Sequence, residues 1–180
     1  GKVINEFATL AYRGRVASPE FVVKLEAIYH DHRRDGAAPL TALHETLSIV
    51  LASPSFLYLA EAGGTEKRPL TQFELAARLS YFLWSAPPDQ RLLDLANESK
   101  LTDPVVLQLE VNRMLADPKS SSFVEAFLDQ WLGLDRLDFF QFNVKKHPEF
   151  TAGTKKVARR EIYETFAHWL YKNGSLTNLL

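Results

Sequence analysis

The chain has 180 residues, 46% of them apolar and 24% charged, with 21 Lys and Arg set against 22 Asp and Glu. That is a globular composition, and a formal charge of −1 supplies no global field for nucleic acid or an anionic membrane. Cysteine is absent, which excludes disulfides, thiolate metal sites, a catalytic thiol and the attachment motif of c-type haem, and no apolar run reaches the length of a membrane span.

Apolar spacing and end signals agree on helix for most of the chain. Ile4, Phe7, Ala8 and Ala11 predict a helix over 2–12, broken by Arg13-Gly14-Arg15. Ser18-Pro19-Glu20 reads as N-cap, first helical residue and first-turn acid. The helix it opens carries Phe21, Val22, Leu25, Ile28 and Tyr29 on one stripe, with His32 expected as a packed, hydrogen-bonded core histidine, and closes at Gly36. A third helix spans about 40–51, and Ser53-Pro54 caps a short turn. Residues 61–69 hold two glycines, a proline and several charges without apolar period, and read as a linker between domains at 1–60 and 70–180.

Thr71-Gln72-Phe73-Glu74 is a capping box. The helix it starts runs to Trp84 and is apolar nearly all round, with Glu74 and Arg78 spaced for a structural salt bridge. Pro87-Pro88 ends it. Asp89, Asp103-Pro104 and Asp117-Pro118 begin three further helices, the last reaching Leu132 with Gly133 just beyond. On that helix Phe123, Val124, Phe127, Leu128, Trp131 and Leu132 form one broad stripe, with Glu125 and Asp129 expected on the far side. The aromatic connection 134–153 is expected to be pinned to the body. The final helix covers about 154–173, burying Ala158, Ile162, Phe166, Trp169 and Leu170. The apolar run after Gly174 has no helix-end signal and predicts that the larger domain continues past residue 180. The expected fold is therefore all-α, a multi-helix bundle in which a small N-terminal helical unit packs on a larger helical domain.

Few residues combine into a chemical site. Ser80, Ser85, Ser122 and Ser175 lie in no nucleophile motif. Glu161, Glu164 and His168 share one arc of the last helix and are the metal candidate. Carboxylate-bridged sites need a matching Glu-x-x-His on a second helix, and the sequence offers none. From Lys145 to Arg160 the segment is basic: Lys145, Lys146, Lys155, Lys156, Arg159 and Arg160 against Glu149 alone. An intramolecular or partner-facing complement is favoured over nucleic acid for this patch. Arg78, Trp84, Gln130, Trp131 and Arg160 would suit a carbohydrate pocket if they converged, because indole stacks on sugar faces and guanidinium clamps anions.

Several stretches together resemble a known pair of domains. Phe7 to Arg15 and Leu47-Ser48-Ile49-Val50-Leu51-Ala52-Ser53-Pro54-Ser55-Phe56-Leu57 resemble one small helical domain of unknown function. Glu74-Leu75-Ala76-Ala77-Arg78-Leu79-Ser80-Tyr81-Phe82-Leu83-Trp84-Ser85, Met114-Leu115-Ala116-Asp117-Pro118, Gln130-Trp131-Leu132-Gly133-Leu134, Arg160-Glu161 and Gly174-Ser175-Leu176 resemble a second. The two occur side by side in large secreted proteins of planctomycetes and related bacteria that also carry cytochrome c modules. The resemblance implies a periplasmic or secreted setting, haem c elsewhere in the polypeptide, other domains of the same chain as partners, and no established activity. The scaffold or interaction role it suggests has one rival, the substrate-handling part of a haem-linked oxidoreductase acting on carbohydrate. This chain departs from the pattern at Gly14, where a second basic residue is usual, which weakens an anion-binding role for Arg13 and Arg15.

Overall fold

The computed structural model describes residues 1–59, 68–143, 145–172, 174, 175 and 177. Among them the chain forms nine α-helices, two short 3-10 turns and no strand. The helices are α1 (Lys2–Ala11), α2 (Pro19–Arg34), α3 (Pro39–Ala52), α4 (Pro54–Leu57), α5 (Gln72–Trp84), α6 (Gln90–Asn97), α7 (Pro104–Ala116), α8 (Ser121–Leu132) and α9 (Ala152–Tyr171). The all-α expectation holds. Most of the proposed linker and most of the terminal run fall outside the described residues. No described helix is long and apolar enough to cross a membrane.

The chain divides into two compact units, the first from Gly1–Leu79 with Pro87–Val106, the second from Ser80–Ala86 with Leu107–Leu180. In the first, Ile4, Ala8, Tyr12, Leu25 and Val50 are buried together where α1, α2 and α3 meet. A leucine as fully covered as Leu25 contributes roughly 2 kcal/mol. The helix starts are built as the sequence dictates. Ser18 accepts from the Phe21 amide at 3.3 Å with Pro19 in the first turn, and Asp89 accepts from Leu92 at 3.0 Å. The Thr71–Glu74 box closes in both directions: the Thr71 amide donates to Glu74 at 2.8 Å, and the Glu74 amide donates to Thr71 Oγ1 at 3.3 Å.

Glu74 is also gripped by Arg68, whose Nη1 and Nη2 donate to its two carboxylate oxygens at 2.9 and 2.6 Å. This partner lies outside the helix, so helical spacing could not reveal it. Against the expectation of a core histidine, His32 Nδ1 stands 3.0 Å from a Glu45 carboxylate oxygen of α3 and its side chain is 40% exposed, so it lies at the rim between two helices. Arg13 turns into the left-handed region (φ 60°) and donates to the carbonyls of Ser55 and Phe56 at 3.1 and 2.8 Å, which satisfies free acceptors of the single-turn α4. Gly14 follows at φ 85° with its amide on the Thr9 carbonyl. A Cβ there would stand 2.6 Å from the Phe73 ring.

In the second unit, Val124, Leu128, Leu134 and Phe166 form the core, flanked by Phe123, Ile162, Tyr163 and Leu170. Asp117-Pro118 opens a 3-10 turn over Pro118–Ser120 before α8 begins, so the single expected helix is two pieces. Gly133 ends α8 at φ 63°. Thr151 and Thr154 form a capping box for α9. Three side-chain expectations are corrected. Asp129 does not point away from the core: it accepts the Tyr163 hydroxyl of α9. Ala158 is exposed instead of lining the buried stripe. The aromatic connection is only partly held, because Phe139 is 84% exposed while Phe142 stacks on Phe150 at 4.6 Å.

Candidate functional site

The sequence places six apolar residues on one side of α8, a wider arc than a single neighbouring helix can cover. The structure buries Val124 and Leu128 against α9, half-buries Phe123 and leaves Phe127, Trp131 and Leu132 exposed. Phe123, Phe127 and Trp131 repeat every four residues, so their rings line up along α8. Phe123 stacks on Phe127 at 5.5 Å, and Phe127 meets Trp131 at 5.6 Å. Phe82 of α5 extends the row, 5.1 Å from Phe123 and 63% exposed. Trp131 is 59% exposed. Beside it an open groove of about 300 Å³ runs between α8 and α9, walled by Trp131, Leu132, Ile162, Thr165 and Phe166, with Glu161 at its rim.

The other candidates from the sequence go elsewhere. Trp84 presents almost no face to solvent (3% exposed). Its Nε1–H donates to the Met114 carbonyl at 2.9 Å, and its ring lies under Lys119 Nζ at 4.5 Å and the Arg113 guanidinium at 5.4 Å. Gln130 is exposed on α8 and borders none of this groove. Arg78 belongs to the first unit, where it lines a cavity of about 30 Å³ with Arg13, Arg15, Phe73, Glu74 and Ala77. That volume suits a water molecule, not a sugar ring.

Arg160 donates to Glu164 at 2.7 Å. This takes one member from each of two predicted clusters, the basic patch and the metal candidate. His168 sets its ring edge against Trp169. Among the described residues no three His, Asp or Glu side chains are grouped to hold a metal ion. Two cations of the basic stretch are turned onto the chain itself. Lys155 donates to the Phe140 and Asp138 carbonyls. Arg159 donates to the Leu134 carbonyl at 2.7 Å and pairs with Asp138 at 3.1 Å, and that hydrogen bond raises its already high pKa. Lys145, Lys146 and Lys156 remain exposed.

On α9, burial and the bond to Asp129 of α8 push the Tyr163 phenol up to about 12, so it donates at neutral pH. The sequence did signal the row, through the width of the α8 stripe, but not the groove, which depends on how α9 crosses it.

The whole face lies within the part of the chain that the PSD4 family model matches, residues 70–180, described as a protein of unknown function (DUF1592). The chain belongs to the DUF1592 family. Ahead of it, residues 1–61 match a second model, PSD5, also described as a protein of unknown function (DUF1595). No curated protein and no solved structure matches the chain. The first compact unit thus takes in the DUF1595 match together with the opening residues of the DUF1592 match.

Proposed function

We propose that this DUF1595–DUF1592 chain is a non-enzymatic helical scaffold or interaction module of an extracytoplasmic, planctomycete-type multidomain protein that also carries cytochrome c, with the other domains of that polypeptide as its partners. The observation that carries the reading is the row Phe82–Phe123–Phe127–Trp131, in which Phe82, Phe127 and Trp131 are exposed and Phe123 is half-buried, since contiguous exposed aromatics mark association surfaces. The haem would be carried elsewhere in the polypeptide. This chain does not suit c-type haem, because it has no cysteine and its single methionine, Met114, is fully buried. The test is capture of the 180-residue chain on the separately produced remainder of its polypeptide. Retention that falls about tenfold in a Trp131→Ser, Phe82→Ser variant of unchanged helix content supports the reading. Equal retention of both proteins, or of neither, refutes it.

The rival reading, substrate handling for a haem-linked oxidoreductase acting on carbohydrate, keeps one supporting residue, the exposed Trp131. Redox activity of the full-length protein on an oligosaccharide panel would decide for it, provided that Trp131→Ala raised KM.

A further inference from the structure

The α8 face has a length, a shape and a charge, and together they specify an occupant. From Phe123 to Trp131 the row rises about 12 Å, at 1.5 Å per residue, and Phe82 lengthens it. Two turns of a helix presenting apolar residues three and four apart cover the same distance. The groove alongside is mostly apolar, with Thr165 and Glu161 its polar members. Glu161 is exposed and makes no ion pair among the described residues, while its neighbour Arg160 is committed to Glu164. The unbalanced charge at the rim is therefore negative.

This composition ranks the possible occupants. A sugar ring needs several donors and acceptors around its aromatic platform, and two polar side chains at one wall do not provide them. A second copy paired along α8 would add a second Glu161 to the same seam, and like charges there cost association free energy. A helix with a basic flank meets both the apolar row and the acid.

We propose that the Phe82–Phe123–Phe127–Trp131 row and the α8–α9 groove seat an amphipathic helix carrying apolar residues at three- and four-residue spacing and a Lys or Arg opposite Glu161. The proposal rests on the interaction reading and names the chemistry of its partner.

Two fluorescently labelled synthetic helices test it, sharing one leucine stripe and differing only in flanks of Lys or of Glu. Each is titrated with the 180-residue chain and followed by anisotropy. The Lys helix is expected to bind roughly three- to fivefold more tightly than the Glu helix, Glu161→Lys to reverse that order, and Trp131→Ala to weaken the Lys helix about tenfold or more with helix content unchanged. Binding of neither helix, equal binding of both by the wild type and by Glu161→Lys, or insensitivity to Trp131→Ala overturns the proposal. So does saturable binding of cellohexaose at Trp131, or a concentration-dependent dimer that Phe82→Ser disperses. If the helices fail while Trp131→Ser, Phe82→Ser still weakens capture by the remaining domains, the interaction reading survives and the helical partner does not. If the helices bind as expected and capture is unchanged, the reverse holds.

Discussion

Replacing Gly14 by Ala tests how the first unit is put together. Two separable costs are expected. At φ 85° an L-residue is strained by roughly 1–2 kcal/mol. The new Cβ would also stand 2.6 and 2.7 Å from two Phe73 ring carbons and 3.0 Å from a Leu93 methyl, and relieving that overlap costs roughly 1–3 kcal/mol. Together the loss is about 2–5 kcal/mol. Gly36 is the internal control: its φ is 89°, but a Cβ there meets nothing within 4 Å, so Gly36→Ala carries the strain alone. Urea unfolding followed by far-UV circular dichroism should therefore place Gly14→Ala well below Gly36→Ala. The excess should shrink when Phe73→Leu is combined with Gly14→Ala in a double-mutant cycle. Equal losses for the two glycines would refute the close approach of Phe73. An excess untouched by Phe73→Leu would show that the contact is made to something else.

Other outcomes follow from the same geometry. Asp117→Ala removes the acceptor of the Lys119 amide at 2.9 Å and should cost about 1 kcal/mol in a thermal or urea melt. The Tyr163 phenol, held protonated to about 12 in the fold against about 10 in the unfolded chain, contributes stability that is complete below pH 10 and lost as pH rises toward 12. Tyr163→Phe should flatten that alkaline decline and remove the highest step from an ultraviolet titration of tyrosinate. Acrylamide should quench Trp131 far better than Trp84, with the half-buried Trp169 between them, so Trp131→Phe should remove the largest share of the quenchable emission and Trp84→Phe the smallest.

Local rules wrote most of this fold into the sequence. Ser18, Thr71, Asp89 and Asp103 cap helices as their residue types require, because a cap is settled within three residues. What the sequence hid are partners distant along the chain or outside helical spacing. Glu74 is held by Arg68, Tyr163 reaches Asp129 of another helix, and Lys155 and Arg159 bond to main-chain carbonyls that carry no mark in the sequence. The candidate face was half legible. The α8 stripe gave its aromatics, but which of them stay open depends on the path of α9, and periodicity within one helix carries no information about that.

The way α9 holds the preceding connection bears on tolerance to change. Lys155 and Arg159 grip the peptide oxygens of Leu134, Asp138 and Phe140, and every residue type supplies a peptide oxygen. Apart from Asp138, whose carboxylate also pairs with Arg159, sequence drift along that connection should therefore leave the fastening intact, whereas loss of either cation would loosen it.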